Sequence, residues 1–469
     1  MSRTPLTGRL AAVLAAAASL AVAACSDTVV PVQPDGSGVS PSSPSLSQSS
    51  ADDDVVEGEV IVKLKEGAAE SIDALATKHG VAKGRAGFQN KFDVVHTFRG
   101  NERAIAARLA ADPDVEYAEP NYIRRTNIDS RLWAFFNPGG LNMSFYNDPN
   151  GRTGSLPSTY ASFADADEDN ISGYAAGGAD VTIGSIDTGV DFSHPEFTGR
   201  LIAGKDWYDN DAQPYDTPDE GHGTHTTGTM AGSTVGVAGV SGAAPHVKVY
   251  VQRVCGANGC PTSAIINAIN AAASYIDASG NHLVAVNLSL GGTTESTGEK
   301  SAIQNATSNG VLVIASAGNS GAKKVACPAC DPNAISVAST TWRDELASYS
   351  QTGSGLDISA PGGSCYSNTT EEGCIFSSVA AGYQGGRTYA GPLAGGAYAY
   401  MQGTSMAAPQ VTGTAAVVAS KTGLRGSALR TRILSTADDK GTAGVDTKFG
   451  SGRVNTYRAV TGSTLAAGQ

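Results

Sequence analysis

Three short segments in a fixed order carry residues suited to acyl transfer: Asp187-Thr188-Gly189, Gly221-His222-Gly223-Thr224-His225, and Gly403-Thr404-Ser405-Met406-Ala407-Ala408-Pro409. A serine hydroxyl is a weak nucleophile at neutral pH. It needs an imidazole to take its proton and a carboxylate to hold that imidazole in the right tautomer. Asp187, His222 and Ser405 supply those three groups. Ser405 opens a run of small residues with Pro409 close behind, a pattern that suits the start of a buried helix. Unpaired N–H groups and the positive dipole end of such a helix favour an oxyanion. His225 is the competing base. Paired with His222 it could also ligate a metal, yet the flanking glutamate of His-Glu-x-x-His sites is missing, so zinc is not expected.

These groups need a rigid frame. Asp187 follows the apolar run 181–186, and further apolar strands are expected over 246–254, 283–290 and 311–315, with helices starting at His222, Thr262, Gly298 and Ser405. Strands alternating with helices predict a doubly wound α/β domain with a mostly parallel sheet and active groups at its carboxyl edge. Upstream, strand patterns at 59–64, 91–98 and 115–117 alternate with helical patterns at 68–79 and 101–111. That order predicts a small α+β, ferredoxin-like unit.

The three motifs, in the order Asp, His, Ser, resemble the active-site signatures of the subtilisin-like serine proteases, the subtilases. The resemblance implies that His222 is the base, His225 a packing residue, and Asn319 in Ser316-Ala317-Gly318-Asn319 the oxyanion donor. It implies that Ser289, Leu290 and Gly291 pair with extended substrate backbone, and that Ala315, Ser316, Ala317 and Gly318 wall the pocket before the cleaved bond. The upstream unit is similar to subtilase propeptides, so residues 119–125 are expected in the cleft as a bound product after self-cleavage. Asp206, Asp209, Asp211 and Gln213 resemble a calcium loop of some subtilases, with Asp148 and Glu196 as a weaker set; the Asp165, Asp167, Asp169 run reads as solvated charge. No cofactor is expected for catalysis. The departures, Gln410 and the Thr226-Thr227 pair, lie off the proposed proton path, and the Gly/Ala/Tyr-rich stretch 380–400 has no evident role.

Composition limits the partners. The net charge of −12 argues against nucleic acid or an anionic bilayer as main partner. Protein or peptide substrates and the chain's own propeptide remain, and the chain is expected to act as a monomer. Arg3 and Arg9 precede a short apolar run, 10–24, that reads as an export signal and ends Val22-Ala23-Ala24-Cys25, like a bacterial lipobox that would lipidate Cys25. The expected organisation is signal 1–25, disordered tether 26–54, propeptide domain 55–125 and peptidase domain 126–469. Export, as a cell-envelope lipoprotein or a secreted protein, agrees with the six cysteines left after Cys25. Proximity suggests Cys255–Cys260, Cys327–Cys330 and Cys365–Cys374, among 15 connectivities that six cysteines allow. The expectation is therefore a self-processing serine endopeptidase. Its rivals are a peptide-binding lipoprotein of the same fold that does not cleave, and a dithiol redox site at Cys327-Pro328-Ala329-Cys330.

Overall fold

The computed structural model describes residues 55–126, 177–341, 345–364, 374–385, 388–389 and 396–463. The export segment with Cys25, the 26–54 tether, Asp148, the aspartates at 165–169 and Cys365 lie outside the described residues.

Alternation in the first strand explains the N-terminal unit. β1 (Val55–Leu64), β2 (Ala82–Ala86), β3 (Asp93–His96) and β4 (Val115–Thr126) form an antiparallel sheet in the order β4-β1-β3-β2, with α1 (Ile72–His79) and α2 (Glu102–Ala110) as connections. Val60 and Val62 on β1 pack with Leu75, Ile105 and Leu109 of these helices. Ile61 points the opposite way and joins Phe92, Val94 and Tyr117 against residues of the peptidase domain. Burying each such aliphatic or aromatic side chain contributes about 1.5–3 kcal/mol. β2, Ala-Lys-Gly-Arg-Ala, lacks apolar alternation, which is why the sequence pattern does not mark it. β4 runs past the expected 115–117 because its second half finds partners outside its own unit.

The second unit is a seven-stranded parallel sheet. Its strands are β5 (Val181–Asp187), β6 (Leu201–Asp206), β7 (Val247–Arg253), β9 (Ala285–Leu288), β11 (Leu312–Ser316), β12 (Ala334–Thr340) and β13 (Ile358–Pro361), in the order β13-β12-β11-β9-β5-β7-β6. Adjacent residues of one strand enter opposite cores, as a sheet covered on both faces requires. Ile314 packs with α6 (Thr404–Thr422), whereas Val313 and Ala315 pack with α4 (Thr262–Ser274) and α5 (Thr297–Ser308). The chain winds from β5 towards one edge and then from β9 towards the other, so the switch point lies between β5 and β9. Ligands of such sheets bind there, beyond the carboxyl ends of the strands.

Within the stretch the motifs left unexplained, β15 (Thr388–Tyr389) and β16 (Ala397–Met401) join the preceding β14 (Ile375–Val379) in a third, antiparallel sheet. Phe376, Tyr398 and Met401 form its core together with Met406 of α6. The Ser378 hydroxyl donates to the Thr224 carbonyl at 3.0 Å, fastening this sheet to α3 (His222–Ala231). Two disulfides join Cys255 to Cys260 and Cys327 to Cys330; Cys374 is also disulfide-bonded.

Candidate active site at the switch point

Asp187 is the last residue of β5 and His222 the first of α3. His222 Nδ1 lies 2.6 Å from Asp187 Oδ1, with both side chains buried. The carboxylate can only accept, so Nδ1 carries the hydrogen and Nε2 is left as the basic nitrogen. Asp187 is held in turn: Oδ1 accepts from the Thr188 N–H at 2.7 Å and Oδ2 from the Thr226 hydroxyl at 3.2 Å, so Thr226, expected off the proton path, touches its carboxylate. The close approach of β5 to α3 requires Gly223, since a Cβ there would sit 2.1 Å from the Gly189 carbonyl oxygen. Gly221 enters the helix with φ of 60°, and a Cβ on it would strike the Tyr383 ring at 2.5 Å.

Ser405 occupies the first turn of α6, in contact with the end of β9. Pro409 has no N–H to give the Ser405 carbonyl, and the Ser289 hydroxyl donates to that carbonyl at 2.7 Å instead. In return the Ser405 hydroxyl donates to the Ser289 carbonyl at 3.2 Å. His222 Nε2 is buried and, among the described residues, has no hydrogen-bond partner, so Asp187 and His222 are joined directly while the Ser405 hydroxyl bonds the Ser289 carbonyl and not the imidazole. Asn319 follows β11. Its Oδ1 accepts from the Thr404 N–H at 2.9 Å and the Thr404 hydroxyl at 2.8 Å, which fixes the amide beside the first turn of α6. Ala315 and Ser316 at the end of β11, and Ala317 and Gly318 after it, are all buried, and the Ser316 hydroxyl lies 3.4 Å from the Leu290 carbonyl.

His225 is a packing residue in this arrangement. Its Nε2–H donates to the Ile375 carbonyl at 3.0 Å, and burial together with the neighbouring His222 pushes its pKa down to about 3, so it is neutral. Asp216 carries weight that its place in the sequence does not reveal. It accepts from the Thr188 hydroxyl at 2.9 Å, the Thr224 hydroxyl at 2.6 Å and the Thr224 N–H at 2.9 Å, tying the Asp187 turn to the first turn of α3. Burial pushes its pKa up to about 6, against those hydrogen bonds. Glu220 rises to about 7, again by burial, with Arg253 opposing.

The acidic loop gathers around a side-chain cation. Arg253 Nη1 pairs with Asp206 at 2.8 Å and also with Asp209. Asp206 Oδ1 accepts the N–H groups of Tyr208 and Asp209, and Asp211 Oδ1 that of Gln213. Among the described residues the carboxylates that converge are Glu70, Asp112 and Asp114, in the N-terminal unit, where Lys78 is ion-paired to Glu70 and Asp112. Glu196 is spent on Thr234 and the Tyr398 hydroxyl.

The end of β4 lies along this site. β10 (Leu290–Gly291) pairs antiparallel with it, Leu290 opposite Thr126 and Gly291 opposite Arg125. β8 (Cys260–Pro261) pairs on the other side, opposite Arg124 and Ile123. Only 123–126 lies between these edges. Glu119, expected in the cleft, instead caps α5, accepting from Ser296 Oγ at 2.5 Å, Thr297 N–H at 2.8 Å and Gly298 N–H at 3.0 Å. Asn121 caps α4, accepting the Ser263 N–H at 2.8 Å.

The sequence pattern of the subtilase family, Peptidase S8, matches residues 178–452, more than half of the chain, with Asp187, His222, Asn319 and Ser405 inside the match. The chain belongs to the subtilase family. It is a subtilisin-like serine protease, and residues 41–121 match the fervidolysin N-terminal prodomain. It is 34% identical over 409 residues to the thermophilic serine proteinase of Bacillus sp. (strain AK1), covering 87% of this chain and 88% of that one. To thermitase of Thermoactinomyces vulgaris it is 37% identical over 286 residues, 61% of this subtilase and 90% of the relative. The crystal structure of fervidolysin from Fervidobacterium pennivorans, described as a keratinolytic enzyme, superposes with a TM-score of 0.67 at 25% identity. That match covers 88% of this chain and 62% of the longer fervidolysin chain.

Proposed function

We propose that this subtilase is a self-processing serine endopeptidase in which Asp187, His222 and Ser405 form the catalytic triad and Asn319 the oxyanion site. The Ser405 hydroxyl attacks a peptide carbonyl as His222 Nε2 takes its proton, and Asp187 stabilises the imidazolium. The tetrahedral oxyanion is met by the Asn319 NH₂ group and the Ser405 N–H at the start of α6. Collapse breaks the C–N bond, His222 returns the proton to the leaving amine, and water then releases the acyl group by the same steps in reverse roles. The observation that carries this reading is the strand 123–126 lying against Leu290–Gly291, one residue from the Ser289 carbonyl that accepts from Ser405. A chain segment paired there stands as a peptide substrate or product would. A serine-directed phosphonate should label Ser405 of the processed enzyme; no labelling would contradict the reading and favour a non-cleaving peptide binder.

Export belongs to the same proposal. It is supported by the disulfides Cys255–Cys260 and Cys327–Cys330, which persist in oxidising compartments. A dithiol redox site at Cys327 is not favoured, because Cys330 is followed by strand β12 and not by the helix such a motif opens. Among the described residues no helix is long and apolar enough to cross a membrane; the lipobox-like Val22-Ala23-Ala24-Cys25 supports attachment through a lipid on Cys25. The mass of the mature amino terminus tests this. Calcium at Asp206, Asp209, Asp211 and Gln213 requires the ion to share two carboxylates with Arg253, so any calcium effect on stability should be small.

A further inference from the structure

Both disulfides within the described residues sit behind the two edges that grip β4. Cys255 and Cys260 flank a short hairpin closed by Gly256 and Gly259, whose N–H and C=O groups bond each other at 2.8 and 3.1 Å. One end of that hairpin is Cys260 in β8, paired with Arg124. The other end is fixed to the catalytic strand, because the Cys255 N–H donates to the Asp187 carbonyl at 3.2 Å. On the opposite side Cys327 exchanges two backbone hydrogen bonds with Gly292, at 2.8 and 2.9 Å, immediately after the Leu290–Gly291 edge. The preceding residue, Ala326, donates to the Ala317 carbonyl at 2.9 Å, so the same turn also backs the pocket wall. Short edges like β8 and β10 carry few hydrogen bonds of their own and depend on whatever holds their ends.

We propose that Cys255–Cys260 and Cys327–Cys330 are positioning elements for the two edges that receive an extended peptide backbone, so that recognition of long substrates, but not the chemistry at Ser405, depends on these bonds. The proposal rests on reading the 123–126 strand as a substrate mimic. A closed ring limits the conformations of each loop before substrate arrives. Opening it leaves the triad in place, since Asp187, His222 and Ser405 are held by β5, α3 and α6, but allows each edge to move before it pairs.

The test compares the processed wild-type enzyme with the double variants Cys255→Ser/Cys260→Ser and Cys327→Ser/Cys330→Ser, all expressed as the full chain. Each is assayed on a tetrapeptide anilide, which reaches both edges, and on a single-residue ester with the same side chain before the cleaved bond, which reaches neither. Each opened ring should raise KM for the anilide about tenfold, as loss of one or two backbone hydrogen bonds implies, with a clearly smaller rise for the ester and little change in kcat. Equal losses on both substrates, or no loss on either, would overturn the proposal. Should a variant fail to mature, mature wild-type enzyme treated with a reductant, its opened disulfides identified by alkylation and mass, gives the same comparison. Absence of ester hydrolysis and of phosphonate labelling in the wild type would instead remove the protease reading itself.

Discussion

The parallel sheet of the peptidase domain and the antiparallel sheet of the N-terminal unit are covered in different ways. The parallel sheet of the peptidase domain is buried on both faces by its own helices, with α6 on one side and α4 and α5 on the other. The antiparallel sheet of the N-terminal unit has its own helices on one face only, and Ile61, Phe92 and Val94 on the other face are buried against the peptidase domain. Polar groups run the other way, because Asn121 of the small unit supplies the cap that α4 lacks, and Glu119 joins Ser296 at the start of α5. The N-terminal unit therefore buries a whole sheet face on its partner, whereas the peptidase domain draws on the N-terminal unit only at two helix starts.

The largest effect that separates the two should come from Asn319→Ala. Turnover should fall about 100 to 1000-fold with KM little changed, the cost of losing such a donor in subtilisin itself. Docking of the N-terminal unit should be unaffected. A turnover number equal to wild type would remove Asn319 from the oxyanion site.

Glu119→Ala should do the opposite. It strips charge-assisted bonds to three donors, of which each such bond is worth about 1.5–3 kcal/mol. In a Ser405→Ala background, amide exchange in β4 should accelerate while the parallel sheet keeps its protection. Unchanged protection in β4 would show that the apolar face alone holds the two units together. Asn121→Ala should act in the same direction and less, since its amide is neutral.

Acidity should tune both regions alike. Burial raises the carboxyls of Asp216 to about 6 and Glu220 to about 7, and it also raises Glu119. A folded-state pKa above the unfolded value means that the folded protein holds the proton more tightly, so this contribution is full below about pH 4 and is lost as pH rises through 6 and 7. The melting temperature of Ser405→Ala should fall across that window, and Asp216→Asn should flatten the fall. A slope identical to the parent would assign the pH dependence elsewhere.

The smallest effect concerns the acidic loop. Saturation at about 100 times the dissociation constant stabilises by about 2.7 kcal/mol when a ligand binds only the folded state. With Arg253 already facing Asp206 and Asp209, chelator should move the melting temperature of Ser405→Ala by less than that figure implies. A shift of the full size would show that calcium displaces or shares the guanidinium's place.

Much of the peptidase frame is legible in the chain. Runs such as Val181 to Ile186 are too apolar to be anything but buried, and the motifs end on the residues that meet at the switch point. What escapes the sequence is cooperation across distance. Asp216 is one acid among several until the Thr188 and Thr224 hydroxyls surround it. The 380–400 stretch has no clear pattern because β14, β15 and β16 form a small sheet built against α3 and Met406. Glu119 and Asn121 look like part of a cleft-binding tail, yet helix ends some 140 to 180 positions away claim them. The calcium resemblance of 206–213 depended on loop spacing alone, and Arg253 at the end of β7 was not part of that pattern.

The central claim, that Ser405 cleaves this chain's own N-terminal unit away, is tested most directly by intact mass of the purified Ser405→Ala protein beside the wild type expressed identically. The account predicts wild type split from the N-terminal unit, and a variant that carries residues 55–126 in one uncut chain with the peptidase domain. A Ser405→Ala protein processed to the same mass as the wild type, with no other protease present, would contradict it.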